Sequence, residues 1–377
     1  MGEQALQRRR VGTLFEELCR IPSVSRSERA LADRVSAELR SLGLEVTEDD
    51  AGTRIGGDAG NLLTRIPAAR DGAPTVLLCA HMDTVPLAAP LEPELRDGVW
   101  ENAGEGILGA DNKAAVAMLL VLARHLHAEG SPVELELLFT VGEEISLAGS
   151  RAFDASALRA RFGYVFDHAS PIGEVIVASP THYRLQAEFL GCAAHAGLEP
   201  ERGRSAIVAA ARAITAMPPG RVDEQSTFNI GTVEGGGAIN VVPDRCTIVG
   251  EARSLDAVRA GELAAVFVDA CQAAANLPDV DVDVDVTAEV TFTGYRHDER
   301  NAAVRAALAA LERCGHDART VASGGGSDAN NLILQGIDVV NVANGTEFAH
   351  RPDERVSARA LDEMFDVALA LLEAAAG

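Results

Sequence analysis

The chain has a single lysine, Lys113; all its other basic side chains are arginines. With 33 basic against 56 acidic residues, the net charge of −23 argues against nucleic acid or an anionic membrane surface as a partner. The arginine bias accompanies abundant alanine and reads as coding bias rather than chemistry. Paired cysteines are also lacking. Cys19, Cys79, Cys192, Cys246, Cys271 and Cys314 lie far apart with no Cys-x-x-Cys. That pattern excludes a disulfide framework and fits reduced thiols in a cytoplasmic enzyme. No apolar run approaches ~18 residues, and the N-terminal stretch has no signal-like apolar region, so a soluble protein is expected. Internal repeats and low-complexity linkers are absent.

What remains is an ordinary globular composition, 47% hydrophobic and 24% charged. A length of 377 residues favours two structural units. The organising stretch is Val76 to Pro86. An apolar run of strand length ends in His81-Met82-Asp83, and period 2 sends His81 and Asp83 to one face.

Around it, helices are expected over Leu14–Cys19, Ala30–Leu42 and Lys113–His127. The third is apolar almost all round and therefore buried. Strands are expected over Leu44–Thr47, Asn61–Ile66, Thr75–Ala80, Val133–Thr140 and Tyr164–Phe166. Several strands end in acids: Glu143 and Glu144 follow one, and Asp167 another. This alternation describes an open α/β sheet with its site outside the C-terminal strand ends.

From about Glu174 the pattern becomes β-β-α-β-β-α-β without acid-tipped strands, which reads as an inserted α+β unit. Its Val-Asp alternation from Asp279 to Val286 is a half-buried strand with its charged side outward, not a metal motif. The expected division is a catalytic domain over 1–176 and 293–377, interrupted by an insertion over 177–292.

The candidate site residues in chain order are His81, Asp83, Asp111, Glu143, Glu144, Asp167 and His350. Taken singly, each acid is an ordinary loop acid. Jointly, two histidines and three carboxylates form the ligand set of a two-metal site, with one carboxylate bridging ions about 3.5–4 Å apart. The mixed donors suit zinc, with cobalt or manganese as alternatives. Asp83 would orient His81, and Glu143 would move the proton of the attacking water to the leaving amine.

Five segments, His81-Met82-Asp83-Thr84-Val85-Pro86, Gly109-Ala110-Asp111-Asn112-Lys113, Gly142-Glu143-Glu144, Asp167 and Glu347-Phe348-Ala349-His350, resemble the co-catalytic zinc exopeptidases and deacylases. That family includes peptidase T, carboxypeptidase G and the aminoacylases, and the segments here are most similar to its peptidase T-like branch.

The resemblance implies a zinc-exopeptidase-like catalytic domain, with a mostly parallel sheet flanked by helices, and an inserted lid or dimerisation domain. It further implies His81 and Asp167 as ligands of one metal, Glu144 and His350 of the other, and Asp111 between them. Asp83 would be the orienting acid and Glu143 the general base. His195, in Gly191-Cys192-Ala193-Ala194-His195, resembles the residue that stabilises the oxyanion, from a neighbouring subunit in dimeric members. Asn240, Arg253 and the loop containing Gly325 and Ser327 resemble substrate-carboxylate binding elements. The remaining histidines, His168 beside a ligand included, carry no motif and read as structural or surface.

The implied activity is hydrolysis of an amide bond in short peptides, as an aminopeptidase, with tripeptides among the expected substrates. Carboxypeptidase or N-acyl-amino-acid deacylase action would use the same core motifs. A two-metal phosphoesterase is disfavoured by the motif order, and an inactive peptide-binding member by the presence of every ligand and the base.

Overall fold

The computed structural model describes residues 3–298 and 300–376. The chain divides into two compact units, one of Met1–Ala178 with Arg296–Gly377 and one of Ser179–Tyr295.

The first unit is a mixed α/β fold. Its central sheet runs in the order Val46–Glu48, Leu62–Ile66, Glu134–Thr140, Thr75–His81, Phe162–His168, Asp338–Ala343, Glu174–Ser179. The four strands from Glu134–Thr140 to Asp338–Ala343 are mutually parallel. Their registers pair His81 with Thr140, Cys79 with Val165 and Phe166 with Val342. All four therefore end on one edge, and residues just past those ends meet there. Apart from Glu134 and Glu136, these strands are largely apolar and buried, as parallel strands covered on both faces are.

Helix Ala110–Glu129 is buried along most of its length, from Ala114 to Ala123 without interruption. It packs against Glu3–Cys19 and the C-terminal helix Ala358–Ala376. Each fully buried Leu or Val on it contributes about 1.5–3 kcal/mol. A separate four-stranded sheet, Thr346–Glu347, Arg355–Ser357, Val99–Asn102 and Pro93–Arg96, holds the loop that carries His350. Among the described residues, no helix is long and apolar enough to cross a membrane.

The second unit is a five-stranded antiparallel sheet in the order Gly220–Asp223, Ser226–Gly235, Arg245–Ser254, Thr181–Leu190, Asp283–Phe292. Leu185, Ala187, Phe189, Cys246 and Ile248 alternate inward, forming a core with helices Ala206–Thr215 and Ala257–Ala275. Both helices are capped by side chains: Ser205 accepts the Val208 N–H, and Asp256 those of Val258 and Arg259. On the outer strand Asp283 and Asp285 are exposed while Val284 and Val286 pack inward, as the alternation requires.

Candidate metal centre

His81 closes its strand and is buried. Its Nδ1 lies 3.0 Å from the Asp83 carbonyl oxygen. An N–H there donates to that carbonyl and leaves the Nε2 lone pair free. Nε2 points between two acids, 3.4 Å from Asp111 Oδ1 and 3.3 Å from Asp167 Oδ1.

Asp83, fully buried, is the hub behind this edge. Its Oδ1 accepts the Glu143 N–H at 2.9 Å, and its Oδ2 accepts the Glu144 N–H at 3.1 Å and the Ser25 hydroxyl at 2.5 Å. Those bonds hold the Gly142-Glu143-Glu144 turn against the His81 strand. Gly142 sits at φ +59°, where a side chain would be strained and would press on Ile55. Glu28 accepts the Gly142 N–H at 3.0 Å.

Asp111, near the start of the buried helix, has non-helical dihedrals and is joined to Asn112 by a cis peptide. Asn112 donates to the Phe166 carbonyl at 2.7 Å, while Asn341 accepts the Asp167 N–H at 3.0 Å. These asparagines fix the two acids relative to one another. His350 Nε2 lies 2.8 Å from Glu144 Oε1 and 3.6 Å from Asp111 Oδ2.

Among the described residues, three groups have ligand atoms close enough to share an ion: His81 with Asp111 and Asp167, Asp111 with Glu144 and His350, and His81 with Glu143 and Glu144. Asp111 belongs to the first two.

The electrostatics match this crowding. Burial, then the neighbouring Asp167, pushes Glu143 well above the usual carboxylate range. Burial pushes Asp167 up to about 7. Burial alone would lower His81, but Asp167, Asp111 and Asp83 around it raise it well above an ordinary imidazole. The hydrogen bond to Glu144 raises His350 to about 9. Asp111 Oδ1 is buried with no hydrogen-bond partner. A buried cluster of oxygen and imidazole donors with an unpartnered carboxylate oxygen at its centre fits a divalent cation.

The residues expected in the inserted unit fall into two places. His195 and Asn240 lie on paired loops: the Ala196 N–H donates to the Asn240 carbonyl at 3.0 Å, and His195 bridges to Val241. His195 is exposed and its Nδ1 accepts the Gly197 N–H at 3.1 Å, which leaves the proton on Nε2. Arg253 is held by Glu251 through Nε at 3.0 Å and a terminal nitrogen at 2.9 Å, and Glu251 also meets His182.

In the first unit, the Gly325 N–H donates to Ser323 Oγ at 3.0 Å, and buried Ser327 forms a capping box with Asn330. Next to Ser327, Asp328, fully buried, accepts the Thr140 hydroxyl at the end of a central strand.

Sequence reasoning missed Glu28, Asp328, Glu354, Asn112, Asn341 and Asn344, the last of which donates through Nδ2 to Asn112 Oδ1 at 3.3 Å. Only Asn112 and Asp328 sat inside segments already singled out.

The model of peptidase family M20/M25/M40 matches residues 77–374. The Bacillus subtilis protein YqjE is 35% identical over 96% of this chain and 97% of its own length. The solved structure of aminopeptidase PepT from Bacillus cereus superposes with a TM-score of 0.86 at 35% identity, covering 98% of this chain and 99% of that one. A tripeptidase from Staphylococcus aureus gives 0.90 at 32% identity, covering 98% of each chain. The chain belongs to peptidase family M20/M25/M40, in its peptidase T-like branch.

Proposed function

We propose that this peptidase is a two-metal aminopeptidase that removes the first residue of short peptides, tripeptides among them. The observation that carries the reading is Asp111, whose carboxylate belongs to both the His81–Asp167 group and the Glu144–His350 group. Zinc is the first choice of ion, with cobalt or manganese as alternatives. When bound, the ions would polarise the scissile carbonyl and acidify the attacking water.

The protein's own groups do the rest. Asp83 keeps the His81 imidazole turned with Nε2 toward the acids and holds Glu143 in place. Glu143, buried and outside both Asp111 groups, takes the proton from the water and delivers it to the leaving nitrogen. His195, with its proton on Nε2, donates to the developing oxyanion, from its own chain or from a partner copy. Asn240 and Arg253 serve the substrate carboxylate, Arg253 with a guanidinium already oriented by Glu251. The Gly325–Ser327 loop is the first unit's candidate for binding substrate.

A free-amine peptide substrate is supported by the likeness to PepT and the tripeptidase. The inserted unit leaves Leu198, Val233, Ile239 and Val241 exposed, which supports its use as the contact of a homodimer. Among the described residues the six cysteines form no disulfide, which supports a cytoplasmic setting.

The test is a panel of a tripeptide, its N-acetylated form, a dipeptide and an N-acyl amino acid, given to zinc-, cobalt- or manganese-loaded protein. Release of the first residue from free-amine peptides alone is expected. Preference for the blocked compounds would overturn the aminopeptidase reading in favour of carboxypeptidase or deacylase action.

A further inference from the structure

Glu354 lies between His350 and the short strand Arg355–Ser357 and is only 2% exposed. It belongs to none of the candidate ligand groups. Each of its carboxylate oxygens accepts a backbone N–H from one turn: Gly109 at 2.7 Å on Oε2 and Asp111 at 2.9 Å on Oε1. Gly109 has φ +75°, and Asp111 departs from helical dihedrals. The N–H groups at a helix start have no acceptor within the helix. Here a carboxylate remote in sequence satisfies two of them with charge-assisted bonds, the stronger kind.

The consequence is specific to the backbone of Asp111. Its peptide is pinned from one side by Glu354, while Asn112 is pinned from the other by the Phe166 carbonyl. Glu354 also sits four residues after His350, on the same short segment between two paired strands. One side chain therefore joins the turn that supplies Asp111 to the loop that supplies His350. These two residues contribute to the same candidate group, with Glu144.

We infer that Glu354 is a positioning residue that sets the placement of Asp111 relative to His350 and so tunes metal affinity. The inference rests on the two-metal reading given above. Residues that hold ligands from behind typically change metal affinity about 10–100-fold when replaced.

The experiment measures zinc and cobalt affinity by competition with a chromophoric chelator, for the wild-type chain, E354Q and E354D. The visible spectrum of each cobalt form and the melting of each metal-free form are recorded alongside. Gln keeps the shape but turns an amide N–H2 toward one of the two donors. E354Q should bind metal about 10–100-fold more weakly, with an altered cobalt spectrum and a metal-free melting curve close to wild type. E354D, which keeps the charge, should recover part of the affinity.

Unchanged affinity and spectrum in E354Q would overturn the inference. So would a loss of affinity that merely follows a collapse of the metal-free fold in both variants. A wild-type chain that binds neither metal would fail differently, removing the metal reading itself.

Discussion

Asp83→Asn is the most informative single substitution, because it changes charge and hydrogen bonding at one buried atom without changing shape. Three donors converge on the Asp83 carboxylate: the Glu143 N–H, the Glu144 N–H and the Ser25 hydroxyl. The amide of Asn has one acceptor oxygen, so at least one of these donors must face an N–H2 group. Leaving one buried donor unpaired costs about 1–3 kcal/mol, and reducing two charge-assisted bonds to neutral ones costs about 1 kcal/mol each. The sum is about 3–5 kcal/mol, a large share of the roughly 5–15 kcal/mol that holds a typical domain. For a unit of this size that is on the order of 10 °C in melting temperature.

The loss is directed at the turn that carries Glu143 and Glu144. A shift of about 1 Å there would lower turnover roughly a hundredfold. Thermal melting of the metal-free variant and kcat on a tripeptide together make the assay. A D83N protein that melts within about 2 °C of wild type and keeps its kcat would refute the role of Asp83 as the hub of this edge.

Glu143→Gln should keep the bound metal and lose about 10²–10⁴ in kcat; metal analysis beside steady-state kinetics separates the two, and retained activity would remove Glu143 as the base. His195→Ala should lower kcat about 10²–10³-fold with metal content unchanged, and an unaffected rate would make the residue structural. Glu251 gives a pH prediction for the inserted unit. The hydrogen bond with His182, then the Arg253 guanidinium, holds its carboxyl at about 2 rather than the ordinary 4.5, against the opposing effect of burial. Between those values the unfolded chain binds a proton that the folded unit refuses, so stability falls as pH drops through that window. E251Q should lack this acid dependence, and wild-type and variant melting curves that stay parallel from pH 5 to pH 2 would contradict it.

Much of the fold was legible because its signals are local. The apolar run before His81, the alternation before Glu143 and the all-apolar helix after Asp111 each fix an element within a few residues. The parallel order then gathers the strand ends that carry His81, Asp83, Glu143, Glu144 and Asp167, while Asp111 and His350 reach them from the start of the buried helix and from a loop of the four-stranded sheet.

Strand Glu174–Ser179 was assigned to the inserted run because it lacks an acid at its tip. The structure places it in the large sheet, beside Asp338–Ala343 and Arg319–Ala322. The sheet that holds His350 escaped notice because its strands are only two to four residues long. Such pieces show no periodicity. Glu28, Glu354, Asn341 and Asn344 were invisible for another reason. Each acts by hydrogen bonding to groups distant in the chain, and a lone Glu or Asn outside a motif carries no pattern to read. The environment of Arg253 was equally hidden, since period 2 places Glu251 on its face but does not say that the two pair.

The measurement closest to the central claim is the number of ions held by the wild-type chain and by Asp111→Asn. Equilibrium dialysis against zinc, read by elemental analysis, supplies it. Two ions per wild-type chain are expected, with binding of both weakened in D111N, because Asp111 belongs to both groups. One ion or none in the wild type, or two undisturbed ions in D111N, would contradict that claim.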